Sequence, residues 1–127
     1  MSNTSLKDKF FATKLARIVP IGALKSKPEI TELCVRRFTL AERNAFIANA
    51  PKAGDNASDA DKAAANLQGQ LFLVTQGVCD ADANAVFTQE DVEALQQEDA
   101  AVIDELSKAV MDANGMSAKS VDAATKN

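Results

Sequence analysis

Between residues 79 and 95 the chain reads Cys-Asp-Ala-Asp-Ala-Asn-Ala-Val-Phe-Thr-Gln-Glu-Asp-Val-Glu-Ala-Leu. Asp80, Asp82 and Asn84 fall at the first, third and fifth places of a calcium loop, and Phe87 is the apolar residue expected at the eighth. A hard cation needs that ring of oxygens, a glycine at the sixth place for the sharp turn, and a Glu at the twelfth to bind through both oxygens. Here the sixth place is Ala85 and the twelfth is Asp91, one methylene short of that reach. No second loop is present to pair with it. The same residues have a simpler use. Thr88 is a good helix N-cap, and Gln89, Glu90 and Asp91 then put acid at the positive end of a helix. Phe87 and Val92 occupy the two positions of a hydrophobic staple. This structural reading accounts for nearly every residue and is favoured. The alternative is a degenerate EF-hand-like calcium-binding module using the Asp80–Asp91 loop.

Elsewhere the residue types exclude more than they offer. The chain has no histidine, which removes the commonest general base and every Ser-His or Cys-His dyad. Cys34 and Cys79 lie in apolar contexts, forty-five positions apart, and read as buried free thiols rather than a disulfide framework or a zinc site. With no nucleophile motif and no phosphate-cradling glycine loop, the chain is expected to be non-enzymatic, with no catalytic residues, cofactor or metal.

At 127 residues a single domain with a modest core is expected. Tyr and Trp are absent, and much of the 46% apolar content is alanine. The net charge of −4 conceals a division: residues 1–52 carry ten Lys/Arg against four Asp/Glu (+6), residues 53–127 four against fourteen (−10). Such halves favour head-to-tail self-association or a basic face for a partner, so a homo-oligomer is one expectation. The bases are scattered without stacking aromatics, so nucleic acid is not an expected partner. No stretch approaches the roughly 18 apolar residues of a spanning helix, and Lys7 and Lys9 are not followed by a signal-peptide core, so neither membrane nor export is expected.

The elements follow from periodicity and punctuation. Ser5 caps a short helix with Leu6, Phe10, Phe11 and Leu15 at four-residue spacing, ending before Pro20. Ile18–Leu24 and Glu29–Arg37, joined by the Lys25–Pro28 turn, predict a β-hairpin over about 18–37, with Pro20 restricting its strand to a sheet edge. Thr39 and Glu42 form a capping box for a helix with Leu40, Phe46 and Ile47 that stops at Pro51. Ser58 opens the longest helix, where Leu67, Leu71, Val74 and Val78 make one stripe and Phe72 and Leu73 add apolar surface beside it; near Leu71–Val74 it is expected to be central to the core or covered by a partner. Gly69 and Gly77 weaken it, allowing close packing or a break near Gly77. After the 79–95 stretch, Asp99 caps a helix with Val102, Ile103, Leu106 and Val110 on one face, and Asn114-Gly115-Met116 fits a Schellman stop. The prediction is a mainly α, α+β fold: a single domain over 1–116 with four to five helices and an N-terminal β-hairpin. Residues 117–127 form a loosely ordered tail.

Three stretches, in order, resemble a known family. VRRFTLAERNAF at 35–46 resembles the V-R-E-L-T-x-x-E-R-x-x-F signature of tail assembly chaperones from long-tailed bacteriophages, through Val35, Arg36, Phe38, Thr39, Glu42, Arg43 and Phe46. VCDADANAVFTQEDVEAL at 78–95 resembles their D-x-D-G-x-x-x-F-T-x-x-D-v-x-x-L segment, through Asp80, Asp82, Phe87, Thr88, Asp91, Val92 and Leu95. Asn114-Gly115-Met116 is similar to their L-N-G-L ending. Arg37 stands where the pattern has an acid, and Ala85 near its usual glycine. The resemblance implies a small non-enzymatic protein of the host cytoplasm. It would bind the aggregation-prone tape measure protein, help recruit tail tube subunits and be absent from the mature virion. In many relatives a ribosomal frameshift adds a longer product. The residues expected to face a partner are Arg36, Arg43, Phe46, Leu67, Leu71, Phe72 and Val74. Arg36 and Arg43 are assigned either to an acidic partner or to Glu32 and Glu42 on the surface.

Overall fold

The computed structural model describes residues 5–13, 16–50 and 52–116. The element order is α1 (Leu6–Ala12), β1 (Ile18–Pro20), β2 (Cys34–Arg36), α2 (Leu40–Asn49), α3 (Asp59–Gly77), β3 (Val78–Cys79), α4 (Val92–Gln96) and α5 (Ala100–Ala113). A single 3-10 turn, Gln89–Asp91, leads into α4. This is a small, mainly α, α+β domain, as the periodicities predict. The expected tail at 117–127 lies outside the described residues.

The expected hairpin forms, but its ladder is short and it is not alone. β1 pairs antiparallel with β2 in the register Ile18–Arg36, Val19–Val35 and Pro20–Cys34. Flanking bonds run from Ile21 N–H to Leu33 O (3.0 Å) and from Arg37 N–H to Arg17 O (2.7 Å). Backbone groups of the odd-numbered β1 residues therefore face β2, and Pro20 turns its nitrogen outward at the sheet edge, where a missing N–H is no loss. β3 pairs with the other side of β2, Cys34 opposite Cys79 and Val35 opposite Val78, giving the sheet order β1-β2-β3. Periodicity places Val78 on the α3 stripe, but the helix stops at Gly77 and Val78 becomes a strand residue. Two strand residues are too few to leave a pattern of period two.

The core is the α3–α5 pair closed by the sheet. Leu71, Leu73, Val74 and Val78 pack with Val102, Ile103, Leu106 and Val110, and Leu24, Val35, Phe46, Leu95 and Met116 complete the cluster. Each such side chain contributes about 1.5–3 kcal/mol when fully buried. Val19, Val35 and Val78 lie in register across the three strands and join this cluster. The helix ends obey their local signals. Ser58 Oγ accepts from Asp61 N–H, and Thr39 and Glu42 complete their capping box. At the end of α5, Met116 N–H bonds Met111 O (2.8 Å), Gly115 N–H bonds Asp112 O, and Gly115 has φ +63, which is the Schellman arrangement. Asp99 sits at the α5 N-cap, but its side chain makes no capping bond; its backbone oxygen accepts from Val102 and Ile103 instead.

Polar tethers fix the loops. The Glu105 carboxylate accepts from Lys25 N–H (2.7 Å) and Ser26 N–H (3.2 Å), holding the β1–β2 loop against α5. The Lys25 bond, with that of Ser26, keeps the Glu105 carboxyl below its usual range. A carboxylate whose folded pKa is depressed adds stability above the unfolded value of about 4 and loses it as pH falls through the folded value. Glu105 should therefore leave Tm unchanged from neutral pH to about pH 5 and lower it on further acidification; Glu105→Gln should flatten part of that fall in thermal melts across the range.

The two α3 glycines differ sharply. A Cβ at Gly77 would lie 2.7 Å from Val110 Cγ2, whereas one at Gly69 would meet nothing within 4 Å. Helix propensity alone favours alanine at both by roughly 1 kcal/mol. Gly69→Ala is therefore expected to stabilise by up to about 1 kcal/mol, and Gly77→Ala to destabilise by about 1–3 kcal/mol through overpacking. Equilibrium urea unfolding of both variants checks the opposite signs.

Candidate functional site

The three stretches that carry the family resemblance meet at the end of β2. Arg36, the last residue of that strand, reaches across the sheet and donates from Nη2 to Ala83 O (3.0 Å). Its backbone oxygen accepts from Asn114 Nδ2 (2.9 Å), and Asn114 Oδ1 accepts from Phe38 N–H (2.6 Å). Asn114 Nδ2 also bonds Val110 O (2.9 Å). One asparagine at the α5 C-cap thus joins the end of that helix to the β2–α2 junction. Its local sequence predicts a helix stop; the tether spans more than seventy residues and leaves no trace in spacing.

The Asp80–Ala85 stretch is a hairpin tip. Ala83 N–H bonds Asp80 O, Asp80 N–H bonds Asn84 O (2.9 Å), and Cys79 bridges Ala85. A turn closed this way needs a left-handed residue, and Ala83 takes φ 69. Asp80 Oδ1 accepts from Asp82 N–H (2.8 Å) and Asn84 N–H (2.9 Å). The Asn84 bond first, and then that of Asp82, hold the Asp80 carboxyl below its ordinary value. Asp91 Oδ2 is engaged with Thr88 N–H (2.9 Å) in the capping box of the following turn. Phe87 and Val92 are both partly buried against the core. The first and twelfth ligands of the notional calcium loop are thus turn and cap acceptors. Among the described residues no group of three or more His, Cys, Asp or Glu is placed to hold a metal.

An aromatic stack stands beside this junction. Phe46 of α2 lies between Phe38 and Phe72, with ring centroids at 5.6 and 4.7 Å and both pairs stacked. Two clefts flank α2. One, of about 230 Å³, is bounded by Arg36, Glu42, Phe46, Asn49, Phe72 and Gln76. The other, of about 320 Å³, is bounded by Arg37, Thr39, Leu40, Arg43, Ala113 and Asn114, and Phe38 faces both. Glu42, at the edge of the first, is bonded to Thr39 N–H and to Arg17 (2.6 Å). The Thr39 bond, with Arg17 beside it, keeps the Glu42 carboxyl low. Arg17, rather than Arg36 or Arg43, is thus the ion-pair partner of Glu42.

The expected partner-facing residues separate into two groups. Arg36, Arg43 and Phe72 are half-buried and border the clefts, whereas Phe46, although it lines one of them, is 6% exposed and belongs to the core cluster. Leu67 is 41% exposed on the outer half of α3. Leu71 and Val74 are corrections: at 1% and 0% exposure they are core, because α5 and the sheet cover that part of the stripe. The cysteines are buried free thiols, as their apolar contexts predict. They are far apart in sequence but stand directly opposite on β2 and β3. Burial pushes the Cys79 thiol up, partly opposed by Arg36.

The junction presents guanidinium groups and aromatic edges that frame two grooves. Millimolar calcium is expected to leave Tm unchanged relative to chelator, while Asp80→Ala lowers it by opening the turn; a calcium-dependent rise lost in that variant would mark a bound ion. The chain matches no protein-family model, and no curated protein and no solved structure matches it.

Proposed function

We propose that this protein is a non-enzymatic assembly chaperone for the tail of a long-tailed bacteriophage, binding the tape measure protein and helping to recruit tail tube subunits. The observation that carries the reading is the convergence of its three signature-like stretches. Arg36, Ala83 and Asn114, one from each, bond in series. Residues 37–40 and 43 of the first stretch and Asn114 of the third also border the arginine-lined cleft. The signature residues therefore belong to one structural unit instead of three unrelated caps.

Physical chemistry supports the role. Half-buried aromatic and arginine side chains at the edge of a groove are the usual anchors of a protein interface. The basic N-terminal half speeds encounter with acidic clients and makes binding reversible with salt. Among the described residues no helix is long and apolar enough to cross a membrane, which suits a protein working in the host cytoplasm and left out of the mature virion.

Co-expression with the tape measure and tube proteins of the same phage tests the proposal. A soluble complex is expected, and Arg43→Glu should reduce its yield by roughly tenfold while leaving Tm unchanged. Failure of the wild-type chain to associate with either protein would overturn it.

A further inference from the structure

Two unused apolar surfaces match each other. The first is α1. Its Ser5–Asp8 capping box is complete, yet it buries none of its residues: Leu6, Phe10 and Phe11 are 84%, 71% and 60% exposed, and the two rings meet edge to face at 5.3 Å. A helix of seven residues is marginal alone in water and gains its stability from whatever covers its apolar face. The second is a groove of about 260 Å³ between the β1–β2 loop and the α4–α5 pair, lined by Leu24, Ile30, Phe87, Leu95, Val102 and Leu106. Lys27 and Glu98, also lining it, form a salt bridge at 2.8 Å.

Charge distinguishes this pairing from a generic apolar contact. Residues 5–17 carry Lys7, Lys9, Lys14 and Arg17 against Asp8 alone, while residues 86–106 carry seven Asp/Glu and no Lys or Arg. The charged residues lining the groove, Lys27 and Glu98, neutralise each other, and the surplus charge of the α4–α5 wall is acidic, opposite in sign to that of the α1 segment. α1 leads into β1 at Arg17, which bonds Arg37 O and Glu42. The groove lies at Leu24 and Ile30, past the other end of the β1–β2 ladder.

We propose that α1 is an exchange arm: in a two-fold dimer Leu6, Phe10 and Phe11 of each copy seat in the groove of the other. Reciprocal exchange satisfies both arms and both grooves and closes the assembly. It does not depend on the identity of any client.

Sedimentation equilibrium of the full chain up to high micromolar concentration is the test. The expected mass is twice the 13.4 kDa of the chain. Below the dissociation constant the double variant Phe10→Glu/Phe11→Glu should melt at the wild-type temperature, since both rings are exposed in the single chain, and its dissociation constant should rise by roughly tenfold or more. A photo-crosslinking residue in place of Phe10 should give an adduct of dimer mass that maps to residues 86–106. A monomer at every concentration, a mass that keeps growing past the dimer, or a double variant that dimerises as well as wild type would each overturn the proposal. So would an adduct of monomer mass, or one joining α1 to α1.

Discussion

The close approach of α3 and α5 at Gly77 is the constraint on which the rest of this small fold depends. There the α3 backbone comes so near Val110 that no side chain fits between them. The helix ends at that residue, and the next two extend as β3 alongside β2. A wider approach would move β3 off the central strand and open the core row of Val35 and Val78. In a protein without Trp or Tyr, whose apolar content leans on alanine, close helix contact replaces bulk as the source of dispersion energy.

Around that core, single polar side chains do what long secondary structure does in larger proteins. Glu105 captures two backbone N–H groups of the β1–β2 loop, Asn114 binds Phe38 and Arg36, and Arg36 holds the hairpin tip through Ala83. All three connect segments distant in sequence. The exposed ion pairs contribute little beside them; the bonds to backbone matter because they satisfy groups that short strands leave unpaired.

These tethers shape the surfaces. Asn114 and Arg36 set the two clefts beside α2, where arginines and the Phe38–Phe46–Phe72 stack stand together. Glu105 sets the groove on the far side by anchoring the loop that carries Leu24 and Ile30. The proposed chaperone role and the proposed arm exchange thus use opposite ends of the β1–β2 ladder.

Sequence alone determined what depends on near neighbours. The caps at Ser5, Thr39, Ser58 and Thr88, the Schellman stop at Gly115, the edge position of Pro20 and the apolar face of α5 all follow from residues within one or two turns of each other. The mainly α character and the first hairpin follow in the same way. Tertiary structure decided the rest. Val78 ended in a strand, Cys34 and Cys79 became neighbours, and Leu71 and Val74 went to the core while Leu67 on the same stripe stayed outside. The 79–95 stretch became a hairpin tip pinned by Arg36, and Asn114 became a tether. Each of these outcomes rests on a contact between residues dozens of positions apart, and local periodicity carries no information about which distant surface will cover a given face.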